Sequence, residues 1–183
     1  MKLDEILDSL KIENPTNEKP ITHTLMDGGK LHVPKDKLNS LYKKIVKYGI
    51  EKEQNVQLVE RMGEFHPLVV DIDIKYTNEI TDRQYTDETV YQIISFLWAK
   101  LTDYIDLEDK STFGEIWIME KEKPYPCSTN KKYKSKDGIH ITFPKIIISR
   151  KTYKKLIHTL KQEKQIEKIF NDTCSVTPDN EED

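Results

Sequence analysis

The chain has 183 residues, a formal net charge of -3 and 33% charged residues, a size that suits one domain with a hydrophobic core and leaves no room for a second large one. No apolar run approaches the roughly 18 to 20 residues of a membrane-spanning helix, and the acidic N-terminus does not resemble a signal or transit peptide. We therefore expect an ordered intracellular protein with no membrane anchor.

The first predicted elements are a helix and two strands. Apolar residues at helical spacing predict a helix over 34–49, with Pro34 before it and Gly49 at its end. Residues 55–61 and 68–76 have the composition of strands and are separated by a turn-like segment. We interpret these two strands as a hairpin.

The second half of the chain is also predicted to contain helices and strands. A long helix is predicted to begin after Thr86, followed by a strand over 113–120, a lysine-rich loop over 122–138 and a strand over 139–144. These two strands are expected to form a hairpin around the basic loop. A last helix is predicted over 149–170, after which the acidic sequence loses its periodicity.

Two aspartates interrupt the apolar strand "LVVDIDIKY". Asp71 and Asp73 are two residues apart, so on a strand they share one face at a spacing of about 6.5 to 7 Å, while Val70, Ile72 and Ile74 face the core. Two carboxylates this close repel each other, and a divalent cation such as Mg²⁺ or Mn²⁺ removes that penalty. The alternative is a solvent-facing strand whose charges discourage edge pairing.

The segment "KSKDGIHITFP" supplies a second set of polar groups. His140 lies between Ile139 and Ile141, so it points away from the core in the same way as the aspartates. The loop before it carries Lys131, Lys132, Lys134 and Lys136. Acids for a metal, a histidine for phosphate and lysines for a polyanion together describe a specific site. The histidine and the loop also have bland alternatives, a histidine with a structural role only and a solvated loop.

These motifs, in this order, resemble the N-terminal primase domain of the primase-helicases of nucleocytoplasmic large DNA viruses, a branch of the archaeo-eukaryotic primase superfamily. The resemblance covers residues 27–170. Asp71 with Asp73 match the first motif of that superfamily, and Gly138, Ile139 and His140 match the second, in which the wider superfamily usually has Ser at the position of Gly138.

The resemblance implies a fold and a domain organisation. The fold would be α+β, an RNA-recognition-motif-like core of about four to six mainly antiparallel strands with helices packed on one face and the acidic pair with His140 on the other. Residues 1–26 would form an N-terminal extension, residues 27–170 the catalytic domain, and residues 171–183 an acidic, poorly structured tail.

The resemblance also implies a DNA-dependent primase, a nucleotidyltransferase that starts chains from nucleoside triphosphates on a single-stranded DNA template. Asp71 and Asp73 would hold two Mg²⁺ or Mn²⁺ ions, and His140 would contact the incoming triphosphate. A helicase domain would follow in the same longer chain or belong to a separate subunit, at a viral replication site in the host cytoplasm or nucleus.

Basic residues extend this prediction on physical grounds alone. Lys131, Lys132, Lys134 and Lys136 could track phosphates of the template or the nucleotide, a contribution that weakens with salt. Arg61, on the strand predicted to lie beside the aspartates, could neutralise phosphate or form a cross-strand ion pair.

The end of the chain departs from the family pattern. The third motif of the superfamily is an Asp after an apolar residue on a strand, but Asp172, Asp179 and Asp183 have no apolar strand context, so the third metal ligand is unassigned and the domain is expected to lack its C-terminal part. A G-x-x-x-x-G-K-[ST] motif is also missing from these 183 residues.

Two other functions remain open. A catalytically inactive module derived from a primase would bind single-stranded nucleic acid or act as a replication scaffold. A metal-dependent nuclease would also use an acidic pair, but its usual E-x-K companion occurs only in the predicted loop 108–110.

Overall fold

A computed structural model describes residues 3–26, 28–52, 58–106, 114–128 and 131–179. The chain divides into two compact units, Met1–Gly63 and Glu64–Asp183. The helices and strands are, in chain order, α1 (Leu3–Ser9), β1 (His23–Leu25), β2 (Lys30–Leu31), α2 (Lys35–Ile45) with a π-helical turn (Val46–Ile50), β3 (Leu58–Glu60), β4 (Phe65–Tyr76), α3 (Asp87–Leu101), β5 (Trp117–Glu120), β6 (Tyr125–Pro126), β7 (Ser135–Ser149), α4 (Arg150–Glu163) and α5 (Gln165–Thr173).

The first unit contains a small antiparallel sheet in the order β2-β1-β3. Helices α1 and α2 share one hydrophobic core with it, formed by Leu3, Ile6, Leu7, Leu10, Leu31, Val33 and Leu41. The described part of the predicted strand 55–61 contains β3, but the predicted hairpin is wrong, because β3 pairs with β1 and not with β4. β4 has twelve residues and pairs along its whole length with β7. β3 has only three residues and is too short to pair with β4 over that length.

The second unit is built on an antiparallel sheet in the order β4-β7-β5, with β6 also paired to β7. The register places Val70 opposite Ile141 and Ile72 opposite Ile139, with an irregularity between Pro67 and Leu68. β5 and β7 pair around the basic loop, which confirms the second predicted hairpin. β7 is longer than predicted, since it begins at Ser135 inside the expected loop.

Helices α3, α4 and α5 cover one face of this sheet. Alternate residues of β4 and β7 pack with them in a single core that includes Leu68, Val70, Ile74, Ile93, Leu97, Ile139, Ile141, Phe143, Leu156, Leu160, Ile169 and Phe170. Thr86 precedes α3, and its N–H donates to Thr89 Oγ1 at 3.1 Å. This arrangement confirms the α+β fold with an antiparallel sheet and helices on one face.

The predicted helix 149–170 is interrupted. α4 begins after Ser149, whose Oγ accepts from the Thr152 N–H at 3.1 Å, and it ends at Lys164, which has a φ of 51°. The left-handed backbone at this lysine turns the chain, so α5 forms a separate helix. Among the described residues, no helix is long and apolar enough to span a membrane.

The segment after α5 returns to the sheet. The Ser175 N–H donates to Gln84 O at 3.1 Å, and the Asp179 N–H donates to Lys75 O at 2.9 Å. Successive carbonyls of a strand point to opposite edges, and Tyr76 O accepts from Lys134 next to β7. Asp179 therefore lies on the edge of β4 that faces away from β7. The expected tail from residue 171 thus begins within α5, and its described part continues to Asp179 as a hydrogen-bonded segment.

Candidate active site

Asp71, Asp73 and His140 lie on the sheet face opposite the helices. Asp71 is paired directly with His140 and Asp73 with Gly138. His140 Nδ1 lies 3.5 Å from Asp71 Oδ1, and the side chains of Asp71 and His140 are 68% and 40% exposed. The structure therefore brings the two predicted motifs together on one accessible surface.

The backbone that carries these side chains is firmly held. Each motif residue is flanked by buried residues that point to the helices, Val70 and Ile74 on β4 and Ile139 and Ile141 on β7. β7 is the central strand, paired on one side with β4 and on the other with β5 and β6. A site on paired strands over a packed core keeps its geometry better than a site on a loop.

Gly138 allows the two strands to approach closely at the site. A Cβ atom built on this glycine would lie 3.2 Å from the backbone oxygen of Ile72 on β4, closer than most Cβ contacts. The Gly at this position, where the wider superfamily usually has Ser, therefore has a steric basis in this chain.

A buried carboxylate next to Gly138 supports the site from the helix side. Asp137 is fully buried as a side chain, and its Oδ1 accepts from the Gly138 N–H at 2.9 Å. Arg83 Nε lies 3.5 Å from Asp137 Oδ2, although neither atom has a hydrogen-bond partner within the described part of the chain. Arg83 also contacts Glu120 at 3.3 Å and donates to Lys121 O. Arg83 thus links the segment before α3 to β7 and to the end of β5.

Tyr85 completes this support by donating from its hydroxyl to Gly138 O at 3.4 Å. Burial raises the pKa of Tyr85, and the charges of Asp137 and Glu120 raise it further against the opposing effect of Arg83. The hydroxyl therefore stays protonated as a donor. Sequence reasoning missed Arg83, Tyr85 and Asp137, although the position of Asp137 two residues before Ile139 indicates that its side chain points to the core.

Lysines lie on the same sheet face, beyond Asp73. Lys75 and Lys136 are directly paired, and Lys136 Nζ lies 4.9 Å from the ring centre of Tyr125 on β6. Lys121 Nζ approaches the same ring at 5.7 Å. Of the other predicted lysines, Lys131, Lys132 and Lys134 are exposed in the segment that leads into β7.

The prediction for Arg61 rested on a strand pairing that the structure does not contain. Arg61 follows β3 in the first unit, and its N–H donates to Thr22 O at 2.7 Å. β4 pairs with β7 instead, so the predicted strand pairing that placed Arg61 beside the aspartates is wrong.

The outer strand β5 adds two large apolar side chains to the same face. Met119 is paired with His140 and Trp117 with Thr142, and each of these β5 side chains is 52% exposed. Directly paired residues of an antiparallel sheet share a face. Sequence reasoning treated this strand only as a structural element and missed its position beside the site.

The donor atoms suit a hard divalent cation. Asp71 and Asp73 offer exposed carboxylate oxygens on one face, and Mg²⁺ is usually bound by one or two carboxylates together with substrate phosphates. Within the described ranges, no group of three or more His, Cys, Asp or Glu side chains could hold a metal by itself. The residues therefore fit a metal held jointly with substrate.

Neither of the described aspartates near the end of the chain, Asp172 and Asp179, is grouped with Asp71 and Asp73. Asp172 is exposed on α5. The Asp179 carboxylate accepts from the Thr77 N–H at the edge of β4, and Asp183 lies outside the described residues. The third acidic ligand stays unassigned.

Comparisons with known proteins identify the family of the chain. A family model described as the C962R protein N-terminal AEP domain, where AEP denotes archaeo-eukaryotic primase, matches residues 22–181. The protein named "Putative helicase L207/L206" of Acanthamoeba polyphaga mimivirus is 29% identical over 129 residues, which are 69% of this chain and 13% of that protein. "Putative helicase 184R" of Invertebrate iridescent virus 6 is 27% identical over 119 residues, 58% of this chain and 12% of that protein. The chain thus corresponds to a small part of the length of these relatives. Because the family model matches most of the chain, the protein belongs to the C962R-type N-terminal archaeo-eukaryotic primase domains.

Proposed function

We propose that this chain is the DNA-dependent primase domain of a viral replication protein, a nucleotidyltransferase that makes primers from nucleoside triphosphates on single-stranded DNA. The observation that carries the proposal is the meeting of Asp71, Asp73 and His140 on one exposed sheet face, in a chain of the archaeo-eukaryotic primase family. The accessible carboxylates and the neighbouring imidazole suit a triphosphate substrate accompanied by divalent cations.

Each residue has a distinct role in this proposal. Asp71 and Asp73 hold the divalent ions, Mg²⁺ or Mn²⁺, which when bound promote attack by the 3′-hydroxyl and neutralise charge on the leaving pyrophosphate. His140 Nδ1 lies 3.5 Å from Asp71 Oδ1, and Nε2 is the nitrogen that contacts a phosphate oxygen of the incoming nucleotide, as a donor when the ring carries a proton on both nitrogens. The chain itself therefore contributes orientation and charge rather than a covalent intermediate.

The lysines form the proposed electrostatic path for the nucleic acid. Lys75 and Lys136 lie on the active face, and Lys131, Lys132 and Lys134 are exposed nearby in sequence. Lysine contacts with phosphates release counterions, so template binding should weaken steeply as salt rises.

The helicase-named relatives support a proposed partner. The chain matches only 13% and 12% of the lengths of these two proteins, so we place the primase domain within, or in complex with, a longer protein that carries a helicase engine. The third acidic ligand is then expected from a strand that follows the described segment, and the site of action would be the viral replication site.

Primer synthesis on single-stranded DNA tests the proposal. Labelled ribo- or deoxynucleoside triphosphates with Mg²⁺ or Mn²⁺ should give products with a form that carries the downstream sequence of the full protein, from which the third acidic ligand is expected. The given chain is assayed beside this longer form. Asp71→Asn with Asp73→Asn should abolish these products. The matched control, Glu88→Gln in the first turn of α3 with Asp103→Asn just after α3, removes the same charge from exposed positions and should retain synthesis.

An inactive binding module is the second candidate, favoured by the missing third ligand among the described residues. Single-stranded DNA binding that is indifferent to chelator and to the Asp71/Asp73 change, with no product from the longer form, would support this candidate against the primase. The argument against a nuclease was the loop position of the E-x-K companion at residues 108–110, which lie outside the described ranges.

A further inference from the structure

Trp117 and Met119 form an exposed apolar strip on β5, called here the Trp117–Met119 strip. β5 is the outermost strand of the described sheet, on the side of β7 away from β4. Half of each side chain is accessible, and Met119 is paired with His140. The strip therefore borders the candidate active site on the same face, two strands away from Asp71.

The orientation of the Trp117 ring is restrained although the ring is exposed. Its Nε1–H donates to Glu115 Oε1 at 2.9 Å, and Glu115 Oε2 lies 3.5 Å from Lys145 Nζ. The indole hydrogen bond is satisfied within the protein, so the accessible part of the side chain is largely its apolar ring surface. A ring held at one edge with an accessible face is suited to stacking against another planar group.

The charge around the strip indicates what kind of molecule carries that planar group. The chain leaves β5 directly into Lys121 and Lys123, both exposed, with Glu122 as the acidic residue between them. Lys121 and Lys136 both approach the ring of Tyr125. A ligand that follows the strip toward this end of the sheet meets positive charge, which fits a chain of alternating bases and phosphates.

We propose that the Trp117–Met119 strip is a base-stacking subsite for the single-stranded template. Successive side chains on one face of a strand are about 6.5 Å apart, so Trp117 and Met119 form a continuous contact surface beside His140. Aromatic rings bind bases without sequence preference because every base has a flat face. The inference rests on the proposed primase function, to which it adds the position of the template on the sheet.

A protein partner fits this surface less well. Stable protein interfaces bury about 800 Å² per partner, far more than two half-exposed side chains provide. Ile118, the exposed apolar residue between them, points to the other face of the sheet, since it is paired with buried Ile141. The strip is thus narrow and restricted to the active face.

Tryptophan fluorescence gives a direct test in the full chain. The protein has two tryptophans, and Trp98 is packed against Phe143 in the core. We expect oligothymidylate to quench the fluorescence of Trp117 in wild type and in a Trp98→Phe background, measured in EDTA so that no metal is involved. An abasic oligodeoxyribose of equal length carries the same charge but should bind about tenfold more weakly and leave the signal unchanged.

Substitutions identify the side chains involved. Trp117→Ala and Met119→Ala should each weaken oligothymidylate binding, by about tenfold for the tryptophan, while the weaker binding of the abasic chain stays the same. Trp117→Phe should retain most of the affinity because it keeps an aromatic face. Ile118→Ala is the matched control on the same strand, and it should bind like wild type.

The outcomes separate this inference from the proposed function. The template subsite would be overturned if oligothymidylate and the abasic chain bound equally well and neither quenched the fluorescence. It would also be overturned if Trp117→Ala changed only the self-association of the protein, as measured by size-exclusion chromatography. Quenching should persist in Asp71→Asn with Asp73→Asn. If the protein makes primers but oligothymidylate does not quench Trp117, the subsite alone is rejected. If Trp117 is quenched but neither the given chain nor the longer form makes primers, the primase function alone is rejected.

Discussion

Asp71 on β4 and His140 on β7 face each other across the central strand pairing, with Asp71 Oδ1 3.5 Å from His140 Nδ1. The two residues come from motifs separated by the whole of α3 and β5, and the antiparallel register brings them together. The metal-binding carboxylate and the phosphate-binding imidazole of the proposed site are thus coupled through one contact.

Replacing His140 should chiefly weaken nucleotide binding. His140→Ala removes a donor to the triphosphate, and a hydrogen bond to a charged group contributes about 1.5 to 3 kcal/mol, so KM for the nucleotide should rise at least about tenfold. Steady-state primer synthesis with varied nucleotide measures the change. Thr142→Ala, the next residue on the same face, is the control and should leave KM near wild type. A fall in kcat at constant KM would instead place His140 in the chemical step.

A side chain at Gly138 should strain the contact between β4 and β7. The added Cβ would lie 3.2 Å from Ile72 O, and a strand backbone yields less easily than a side chain. Gly138→Ala and Gly138→Ser should each reduce the free energy of unfolding by about 1 kcal/mol, the low end for overpacking. Denaturant unfolding provides the measurement. Both variants share the Cβ, so a serine variant as stable as wild type would contradict the steric explanation.

The acidic pair and His140 could be located from sequence because strand alternation is a local property. Residues two apart share a face, and the flanking Val70, Ile72, Ile139 and Ile141 identify the buried side. The family resemblance then predicts that the two motifs belong to one site, which the local pattern of either strand does not.

Features that depend on distant partners could not be predicted in this way. The choice of β7 over β3 as the partner of β4 depends on matching whole strands, and the intervening turn resembled a hairpin turn. The break at Lys164 uses a left-handed backbone at a residue type that gives no such signal. The Arg83–Asp137 pair joins residues 54 positions apart and appears only once β7 is placed.

Replacing Arg83 should destabilise the protein, because the buried carboxylate of Asp137 then loses its neighbouring cation. Asp137 is fully buried, and Arg83→Met removes the guanidinium that lies 3.5 Å from its carboxylate. The free energy of unfolding should therefore fall by about 2 to 3 kcal/mol, which is at or below the lower end of the cost of removing one partner of a buried ion pair. Denaturant unfolding of Arg83→Met, Asp137→Asn and the double variant forms a double-mutant cycle.

The double variant should lose less stability than the sum of the two single changes. Lys145→Met, which breaks the half-exposed pair with Glu115 in the same unit, is the control and should have a much smaller effect. Strict additivity of the Arg83 and Asp137 changes would show that the two residues stabilise the strand independently.

Acid should destabilise the first unit through His23. Burial lowers the pKa of His23 below its ordinary value of 6.5, against the smaller opposing effect of Glu60, and its Nε2 has no hydrogen-bond partner among the described residues. Below pH 6.5 His23 binds a proton in the unfolded chain but stays neutral in the folded protein, whose His23 pKa is lower. The free energy of unfolding therefore decreases as the pH falls from 6.5 toward the folded pKa. Hydrogen exchange of the β1, β2 and β3 amides, corrected for intrinsic rates, should show protection falling between pH 7.5 and 5.5.

A neutral replacement separates this effect from general acid destabilisation. His23→Gln cannot take up a proton, so its β1 amides should keep the same protection over this pH range, even if the variant is less stable throughout. His32→Gln, at a more exposed position in the same unit, should retain the wild-type pH dependence. Loss of protection to the same extent in His23→Gln would assign the acid sensitivity to another group, and Glu60, paired with His23 across β1 and β3, would be the next residue to replace.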